Sequence, residues 1–394
     1  MTVLVIAEVF PPAQGGSGRW LWELYRRLLR DVDVHVVAGH AANAAAFDKT
    51  AHLPIVRFPL SFRSWGVFSP AGLMSYLRTL VRLIPLVTRL RPDVIHCGKC
   101  LPEGLLAAAI GMLTGIPFCC FAHGEELTLA ADSRELGGLT RFVLRRASMV
   151  IANSVHTKQM LHQRWRVPQD RITVLHPGVD TTRFVPRSMD PSIREKLGWS
   201  GRRVILTVGA LQKRKGQDMM IRALPSIRRK FPNVLYAIVG EGWEHAYLEQ
   251  VAREQGVTDV VQFLGIPNDD RLIECYQQCD VFALPNRQVG WDFEGFGIVL
   301  LEAQACGRPV ITGRSGGTAE TIEPLETGVL IPCDEPEPLA DAVCELLDSA
   351  DRAAYMGARG RERAVARFDW TVVTRQAGDV FKIHESWMPH LKVS

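Results

Sequence analysis

Residues 284–321 read LPNRQVGWDFEGFGIVLLEAQACGRPVITGRSGGTAET, and this stretch decides how the fold is interpreted. Its pattern predicts a polar loop, a helix that opens at residues 294–297 and closes at Cys306-Gly307, and a buried strand over residues 309–312. Gly316-Gly317 then predicts the start of a second helix. The amides of a helix's first turn are unpaired and lie at the positive end of its dipole. Two such helix starts on either side of one strand favour a site for a phosphate ester.

Two carboxylates lie within the same stretch. Glu294 comes before the first predicted helix, and Glu302 lies inside it. Gly297 and Glu302 are five residues apart, which separates them by about 8 Å along a helix axis. One acid can then face a sugar while the other holds a ribose. The alternative is a surface helix with one carboxylate at its start and the other on its solvated face.

The two acids and their flanking glycines resemble a known family. The spacing Glu-x7-Glu, with EGFG at residues 294–297 before it and the Gly316-Gly317 turn after it, is similar to that of the retaining family-4 glycosyltransferases, two-domain enzymes of the GT-B fold that use nucleotide sugars. The resemblance implies two Rossmann-like domains facing across a cleft that holds the donor. It implies a catalytic role for Glu294 beside the sugar. It also implies nucleotide-sugar contacts from Gly295, Phe296, Gly297, Glu302, Gly316 and Gly317.

Strand and helix patterns alternate along the chain of 394 residues, which is long enough for two domains. Continuous apolar runs separated by helical patterns predict parallel, doubly wound α/β sheets. In residues 1–185 the predicted strands are Thr2–Val9, Val34–Ala38, Ile55–Phe58, Val94–Cys97, Phe118–Ala122, Met149–Ala152 and Ile172–Leu175. In residues 186–369 they are Arg203–Val208, Leu235–Val239, Val260–Leu264, Val281–Leu284, Pro309–Thr312 and Val329–Ile331. The polar, proline-bearing residues 176–190 are predicted as the linker.

The resemblance assigns a role to each domain. Residues 1–185 are expected to bind the acceptor, and residues 186–369 the nucleotide-sugar donor. A last helix is predicted over residues 370–389, and the resemblance implies that this C-terminal segment, residues 370–394, packs back on the first domain. Ligands of doubly wound sheets lie beyond the carboxyl ends of the strands, so we expect the functional side chains there.

Two motifs follow strands of the first domain. Gly15-Gly16 lies between the first strand and a helix, where it either approaches a phosphate or an acceptor closely or serves as a plain turn. It resembles the family's first-domain glycine loop, and Arg19, one turn later, is a candidate acceptor contact. His123-Gly124 ends a buried strand and matches the family's HG motif, whose histidine sits beside the donor sugar. Glu125, which follows, is a candidate for binding an acceptor hydroxyl or is simply solvated.

A basic loop, GALQKRKG at residues 209–216, follows the first strand of the second domain. A guanidinium fork and an ammonium group there suit a diphosphate. The resemblance implies that Gly209 contacts the donor and that Lys215 and Arg214 act in catalysis. Many family members carry an arginine directly after the glycine, where this chain has Ala210. We therefore expect one diphosphate cation to be either missing or supplied by Lys213 or Arg214.

Charge is distributed unevenly along the chain. The net charge is +4, but residues 1–185 carry +8 (21 basic against 13 acidic residues) and the rest −4 (25 against 29). A basic first domain indicates an anionic partner or an anionic membrane surface, although solvated arginine-rich helices give the same count. Residues 74–90 carry Arg78, Arg82 and Arg89 among apolar residues. They predict either a helix on a membrane surface or one that is half core and half solvated. We expect no nucleic-acid partner.

Cysteine usage and hydropathy indicate the compartment. The nine cysteines are irregularly spaced, which is typical of a reducing compartment, and Cys97-Gly-Lys-Cys100 is either a redox pair or two ordinary thiols. The uncharged run at residues 104–122 is broken by Gly115-Ile116-Pro117, so a buried helix and strand are expected there rather than a membrane span. No signal peptide is recognised. We expect a cytoplasmic protein, either free or peripheral at the inner membrane face.

The combined motifs predict glycosyl transfer with retention at the anomeric carbon. Lys215, Arg214 and the amides near Gly316-Gly317 are expected to stabilise the leaving diphosphate, while Glu294 and His123 hold the sugar hydroxyls. A donor phosphate oxygen is expected to act as the base, and the alternative is a double displacement through Glu294. Asp31 and Asp33 precede a strand at the amino end of the sheet, far from any site. We therefore expect no metal and no cofactor.

The sequence also bears on the donor. Residues 216–230 and 291–305 look closest to the GDP-mannose-dependent mannosyltransferases that modify phosphatidylinositol mannosides. The resemblance favours transfer of a hexose, mannose, from GDP-mannose to a lipid-linked or glycan acceptor. A UDP-sugar enzyme with a soluble acceptor is the alternative donor prediction. A nucleotide-sugar-binding protein without turnover is the alternative from another class, which Ala210 keeps open.

Overall fold

The computed structural model describes residues 1–13, 15–28 and 32–386, with side chains as far as residue 382. The chain forms two compact units, one of Met1–Pro177 together with the chain from Trp370 onward, and one of Gly178–Asp369. The division follows residue 177, whereas the sequence pattern placed it after residue 185. The predicted cleft between the domains stays a prediction.

The first unit is built on a seven-stranded parallel sheet in the order β3-β2-β1-β4-β5-β6-β7. The strands are β1 Thr2–Ala7, β2 Asp33–Gly39, β3 Ile55–Phe58, β4 Val94–Cys97, β5 Phe118–Ala122, β6 Met149–Ala152 and β7 Ile172–Val174. Apolar clusters lie on both faces of this sheet, as continuous apolar strands require. Each strand lies where the hydrophobic pattern predicted it, so the doubly wound α/β prediction is confirmed for this unit.

Helices connect these strands and cover the sheet. They are α1 Gly16–Leu28, α2 Ala44–Thr50, α3 Pro70–Leu90, α4 Leu105–Thr114, α5 Glu125–Ala131, α6 Arg134–Arg146 and α7 Val155–Gln163. The uncharged run at residues 104–122 forms α4 and β5, as predicted. Within the described residues, no helix is both long and apolar enough to cross a membrane. Asp33 begins β2, and Asp31 lies outside the described residues.

The second unit contains a six-stranded parallel sheet in the order β10-β9-β8-β11-β12-β13. Its strands are β8 Arg203–Val208, β9 Val234–Val239, β10 Val261–Phe263, β11 Val281–Leu284, β12 Val310–Gly313 and β13 Val329–Ile331. Its helices are α8 Pro191–Leu197, α9 Gln217–Lys230, α10 His245–Glu254, α11 Asp269–Gln278, α12 Ile298–Ala305, α13 Pro336–Asp348 and α14 Ala350–Arg363. A second Rossmann-like unit is thereby confirmed.

The last helix of the chain, α15 Trp370–Ser386, belongs to the first unit. The Phe381 ring is stacked on Tyr25 of α1 with centroids 6.3 Å apart, and the Arg27 guanidinium lies over the Trp370 ring. The chain therefore returns to the unit in which it began. Of the predicted C-terminal segment, residues 387–394 lie outside the described residues.

The sheet orders decide where functional side chains can meet. In the first sheet β1, β4 and β5 are neighbours, and in the second sheet β8, β11 and β12 are neighbours. Because all strands are parallel, the segments that follow neighbouring strands lie side by side at one edge. His123 follows β5, the basic loop follows β8, and Glu294 lies in the loop after β11.

Candidate active site

The loop after β11 brings Glu294 next to two cations from the loop after β8. Nζ of Lys215 lies 2.5 Å from a carboxylate oxygen of Glu294. Nε of Arg214 lies 4.0 Å from the same oxygen and 3.6 Å from a carboxylate oxygen of Asp292. Glu294 and Arg214 are buried. Three residues predicted as catalytic from separate motifs are therefore in contact at one edge of the sheet.

The neighbouring cations fix the ionisation of Glu294. Burial by itself would raise the pKa of this carboxyl, but Lys215 and Arg214 outweigh burial and lower the pKa below its usual value. Glu294 is consequently a carboxylate at neutral pH, and its oxygens accept hydrogen bonds without donating any. A sugar hydroxyl or an ammonium group is a suitable partner for it.

Helix α12 begins directly after the EGFG segment. Gly297 is its N-cap with φ of 85°, and a Cβ at this position would lie only 3.1–3.3 Å from Thr318, Leu300 and Leu284. A left-handed backbone in a crowded place requires glycine. The first turn of α12, which lies at the positive end of the helix dipole, directly follows the Glu294 loop. The Phe296 ring is buried in the core with its centroid 6.0 Å from that of the Phe368 ring, and so anchors the loop to the core.

Glu302 is the fifth residue of α12 and is buried. The Tyr276 hydroxyl donates a hydrogen bond of 2.7 Å to Oε2 of Glu302 and fixes its orientation. The alternative of a solvated surface helix is wrong, because Leu300–Ala305 are all buried. The contact of Glu302 with a ribose stays a prediction.

A second helix begins at Gly316, as the sequence predicted, but it is short and of the 3₁₀ type. Gly316–Thr321 forms a 3₁₀ helix of six residues, in which the Thr321 hydroxyl donates to the Thr318 carbonyl at 2.7 Å. Such side-chain bonds compete with regular helix formation. The Gly317 amide donates to the Glu294 carbonyl at 3.0 Å, and a Cβ on Gly316 would lie 1.9 Å from that oxygen. The two glycines thus position the Glu294 loop, while their contact with a phosphate stays a prediction.

Asn286, which sequence reasoning missed, holds this turn in place. It is fully buried just after β11. Oδ1 accepts hydrogen bonds from the Gly313 amide at 3.0 Å and the Thr312 hydroxyl at 3.1 Å. Nδ2 donates to the Ser315 carbonyl at 2.8 Å and to the Thr318 hydroxyl at 3.1 Å. All four hydrogen-bonding positions of the amide are used, so the ends of β11 and β12 are rigidly joined next to Glu294.

The loop after β8 places Arg214, rather than Lys213, beside Glu294. The Lys213 side chain is exposed, and its ammonium lies 5.9 Å from the centroid of the Tyr247 ring. A Cβ on Gly209 would lie 3.7 Å from Nζ of Lys215, so Gly209 borders the ammonium of Lys215. Ala210 is exposed. Of the two replacements that the sequence left open for the second diphosphate cation, the position of Arg214 is the more suitable.

Asp218 and Arg287 lock the basic loop to the Glu294 loop. The Arg287 guanidinium donates two hydrogen bonds of 2.8 Å to the Asp218 carboxylate, and the Arg287 amide donates to the Arg214 carbonyl at 2.9 Å. Burial would lower the pKa of Arg287, but Asp218 outweighs it and raises the pKa. Sequence reasoning missed this pair because its members are 69 residues apart and no local pattern indicates that they are in contact.

His123 is held by three hydrogen bonds after β5. Its Nε2 donates to the Gly98 carbonyl at 2.8 Å, which leaves Nδ1 as an acceptor. The Glu126 carboxylate accepts a hydrogen bond from the His123 amide at 2.8 Å, and the Asn153 side chain donates one to the His123 carbonyl at 3.0 Å. Burial lowers the pKa of His123, so the imidazole is neutral at neutral pH. Such a ring can accept a hydrogen bond from a hydroxyl group.

The remaining first-unit candidates lie along the same edge. Gly16 is the exposed first residue of α1, and Arg19 lies one turn later. Gly18, which sequence reasoning missed, allows α1 to pack on the end of β1, because a Cβ there would lie 2.6 Å from the Val9 carbonyl. Glu125 has an exposed side chain in the first turn of α5. The contact of Gly16 with the nucleotide sugar and the contacts of Arg19 and Glu125 with an acceptor stay predictions.

Cys97 and Cys100 are buried free thiols. Burial raises the pKa of Cys97, and a hydrogen bond with Cys120 together with burial raises the pKa of Cys100. A raised pKa disfavours the thiolate that a redox pair needs. The structure therefore favours the ordinary-thiol interpretation of the C-x-x-C motif.

Known proteins match this chain over nearly its full length. The family described as "Glycosyltransferase Family 4" matches residues 14–183, and "Glycosyl transferases group 1" matches residues 189–363. The GDP-mannose-dependent alpha-(1-6)-phosphatidylinositol monomannoside mannosyltransferase of Mycobacterium tuberculosis (strain CDC 1551 / Oshkosh) is 33% identical, covering 96% of this chain and 98% of that protein. The protein of the same description from Mycolicibacterium smegmatis is also 33% identical, covering 93% and 95%. The chain is a family-4 glycosyltransferase.

Solved structures agree on the fold of this glycosyltransferase. Anabaena Alr3699/HepE, in a crystal structure with UDP, superposes with a TM-score of 0.80 at 22% identity, covering 97% of this chain and 100% of that one. Sucrose-phosphate synthase from Thermosynechococcus elongatus gives a TM-score of 0.79 at 21% identity, covering 98% and 99%. At such identities the likeness concerns the fold alone. The predicted family and the GT-B fold are confirmed.

The predicted site residues of this family-4 glycosyltransferase form two groups. Glu294, Lys215 and Arg214 meet in the second unit at the start of α12. His123 and Gly16 lie at the carboxyl edge of the first sheet. Among the described residues, no three His, Cys, Asp or Glu side chains are grouped so as to hold a metal ion. Metal independence stays a prediction.

Proposed function

We propose that this glycosyltransferase moves a mannosyl residue from GDP-mannose to a hydroxyl of a lipid-linked acceptor, with retention at the anomeric carbon and without a metal ion. The observation that carries the proposal is the contact of Glu294 with Lys215 and Arg214 at the start of α12. The donor and the acceptor class are supported by 33% identity to mannosyltransferases described as GDP-mannose-dependent and acting on phosphatidylinositol monomannoside.

The diphosphate of the donor binds opposite the two cations of the second unit. Lys215 is paired with the Glu294 carboxylate in the structure. A diphosphate carries more negative charge than one carboxylate, so it attracts the ammonium of Lys215 and the guanidinium of Arg214. The amides of the first turn of α12 add positive potential beside it. Glu294 then accepts hydrogen bonds from the sugar hydroxyls.

The transfer step needs no enzyme nucleophile. The bond between the anomeric carbon and the phosphate oxygen breaks, and the acceptor oxygen forms its new bond on the same face of the sugar. The proton of the acceptor hydroxyl passes to the departing phosphate oxygen. Lys215 and Arg214 stabilise the charge that grows on that phosphate. Nδ1 of His123 accepts a hydrogen bond from a sugar hydroxyl, and Glu302 holds the ribose.

Two cations of the second unit support the proposal of metal independence. A divalent ion in phosphate chemistry neutralises charge on the leaving group. Lys215 and Arg214 supply two positive charges at the corresponding position, and both are anchored by the Glu294 loop. We expect transfer to continue in the presence of a chelator.

Helix α3 is the surface by which the first unit reaches a lipid acceptor. Its apolar residues Leu73, Leu77, Val81 and Ile84 recur at helical spacing and are exposed, with Val81 at 70%. Exposed Arg78, Arg82 and Arg89 flank this stripe. Apolar residues bordered by arginines fit the interface of an anionic membrane, where the side chains divide between acyl chains and head groups. The protein would thus be peripheral at the inner membrane face, in the cytoplasm.

Calorimetry with GDP and with UDP tests the donor assignment. We expect GDP to bind at least about tenfold more tightly than UDP, because a base-selective pocket gains about 1.4 kcal/mol or more from correct hydrogen bonds. Lys215→Ala and Glu294→Ala should retain the fold, and Lys215→Ala should weaken binding of GDP. Tighter binding of UDP would favour the UDP-sugar alternative. Binding of GDP-mannose without release of GDP would favour the non-catalytic alternative.

A further inference from the structure

A polar pair at the carboxyl edge of the first sheet has no part in the mechanism above. Lys99 follows β4 and Glu8 follows β1, the strand next to it. Nζ of Lys99 lies 2.8 Å from Oε2 of Glu8, and both side chains are 15% exposed. Among the described residues the ammonium makes one hydrogen bond, to Glu8. An ammonium has three N–H groups, so two remain for a ligand that reaches the pair from solvent.

Glu103 lies deeper than this pair and is completely buried. Its Oε1 accepts the Glu8 amide at 2.8 Å and so ties the end of β1 to the segment after β4. Its Oε2 has no hydrogen-bond partner in the described part of the chain. A buried oxygen without a partner reduces stability. The presence of this destabilising group below Lys99 and Glu8 therefore indicates that this edge of the sheet has a function.

The charges around Lys99 determine which ligand the pair suits. Burial would lower the pKa of Lys99, but Glu103, Glu8 and Glu126 outweigh it and raise the pKa. Glu8 is in contact with the ammonium, Glu103 and Glu126 add to its effect on the pKa of Lys99, and the neighbouring His123 is neutral. This balance opposes a phosphate. A hydroxyl group can donate to Glu8 and accept from Lys99 at the same time, so an uncharged polyol fits the pair.

An aromatic ring borders the pair. Trp65 is half-buried in the loop between β3 and α3, and Nζ of Lys99 lies 5.3 Å from the centroid of its ring. The Tyr76 hydroxyl donates to the Trp65 carbonyl at 2.8 Å, and Glu135 accepts the Phe68 amide at 2.7 Å, so the loop is held in place. An apolar face beside a few fixed polar groups is the usual composition of a small-molecule site.

We propose that Lys99, Glu8 and Trp65 bind an uncharged, hydroxyl-rich ring of the acceptor. Lys99 and Glu8 hold the hydroxyls of the ring, and Trp65 covers one apolar face. Glu103 is a positioning residue, which holds the Glu8 backbone and lies next to the Lys99 charge. The inference rests on the proposed function, because it names the acceptor chemistry of that reaction. The charged or acylated part of the acceptor then lies away from this pair.

Titration of the full chain by nuclear magnetic resonance tests the site with two neutral probes, methyl α-D-mannopyranoside and myo-inositol. We expect saturable binding of at least one of them. Mannose 6-phosphate and inositol 1-phosphate should each bind about tenfold more weakly than their neutral counterparts. Lys99→Met and Glu8→Gln should each lower the affinity for the probe about tenfold or more, since each removes a charged hydrogen-bonding group.

Matched variants separate a local effect from a loss of folding. Lys49→Met, which removes an exposed lysine of α2, should leave the affinity of the probe unchanged. Trp65→Ala changes a loop residue and should lower the affinity for the probe about fivefold. This variant keeps the test valid if Lys99→Met does not fold. The site would be refuted by an unchanged affinity in the Lys99, Glu8 and Trp65 variants. Tighter binding of the phosphorylated rings, or no saturable binding of either neutral probe, would refute it too.

Binding of GDP, measured by calorimetry on the same preparations, keeps the two proposals apart. GDP is assigned to the second unit, so all variants of the first unit should keep its affinity within about twofold. A wild-type chain that binds a neutral ring but not GDP would overturn the proposed function and leave the ring site standing. A chain that binds GDP and no ring would overturn the ring site alone.

Discussion

Two lysines of one loop test the role of the cation at Glu294. Lys215 contacts Glu294 at 2.5 Å, whereas Lys213 faces the Tyr247 ring. We expect Lys215→Met to lower kcat/KM for GDP-mannose about 100-fold or more, because the leaving diphosphate loses its closest ammonium. Lys213→Met removes the same charge from the same loop and should stay within about threefold. Initial rates measure both, and equal losses in the two variants would contradict the assignment.

Glu103 gives the stability of the protein a predicted pH dependence. Burial raises the pKa of Glu103 from 4.5 to about 7. Between these pH values the folded chain keeps a proton that the unfolded chain has released. Stability therefore falls as the pH rises through this window, by about 3 kcal/mol in total. Glu103→Gln should remove this loss. The difference in unfolding midpoint between this variant and the wild type should therefore become more favourable to the variant as the pH is raised from about 5 to about 8.

Thermal unfolding followed by circular dichroism measures this effect of Glu103→Gln. Glu125→Gln is the control, because the Glu125 side chain is exposed and its replacement should change the midpoint little. A difference between Glu103→Gln and the wild type that does not change with pH would show that Glu103 ionises normally.

Residues of the candidate site could be assigned from the sequence where they belong to a recognised motif. Glu294, Lys215 and His123 were all assigned from the sequence, and the structure brings the first two into contact. Asn286, Asp218 and Arg287 were missed. The partners of their side chains are 26 to 69 residues away, and hydrogen bonds across the edge of a sheet leave no local pattern in the sequence.

The turn after β12 depends on one amide. Asn286→Asp would replace the donor Nδ2 with a negatively charged oxygen facing the Ser315 carbonyl. We expect a loss of about 2–4 kcal/mol in stability, since two buried hydrogen bonds are lost and a charge is buried without a partner. kcat should fall about tenfold, because the turn holds the Glu294 loop, while KM for the donor changes less.

Asn268→Asp is the matched control for Asn286→Asp. Asn268 is the N-cap of α11, where its side chain accepts the Arg271 amide, and aspartate caps a helix equally well. Unfolding midpoints and steady-state kinetics of both variants make the comparison. A fully active Asn286→Asp variant would show that the turn does not position Glu294.

The membrane role of α3 can be tested by vesicle flotation. We expect the protein to float with vesicles that contain anionic lipid and to be released as the salt concentration rises, because the arginines act through screened charges. Val81→Glu should reduce binding about tenfold, since it places a charge on the apolar stripe. Tyr355→Glu, at an exposed position on α14, should not. Equal binding to neutral vesicles, or no effect of Val81→Glu, would contradict this role.

Secondary-structure elements were largely predictable because buried parallel strands are continuously apolar. The helix start at Gly316 was predicted correctly, but the 3₁₀ type and the short length of that helix were not. Thr318 and Thr321 use their hydroxyls on nearby carbonyls there, and the helix ends after six residues. Competition between side chains and backbone of this kind depends on the turn that surrounds it.

The boundary between the two units shows the limit of composition as a guide. Polar residues and prolines at 176–190 resemble a linker, yet Val179 and Phe184 are buried in the core of the second unit. The Val179 amide donates to the Phe368 carbonyl at 2.8 Å, and the Phe184 ring lies 5.7 Å from that of Tyr276. These long-range contacts move the division back to residue 177.

Transfer of radiolabelled mannose from GDP-mannose tests the central claim most directly. The purified chain is incubated with GDP-mannose or UDP-glucose, a lipid extract as acceptor and a chelator, and label in the organic phase is counted. We predict label from GDP-mannose only, in an α linkage, and an initial rate at least about 100-fold lower with Lys215→Met. Label from UDP-glucose alone, or no label from GDP-mannose at any protein concentration, would contradict the account.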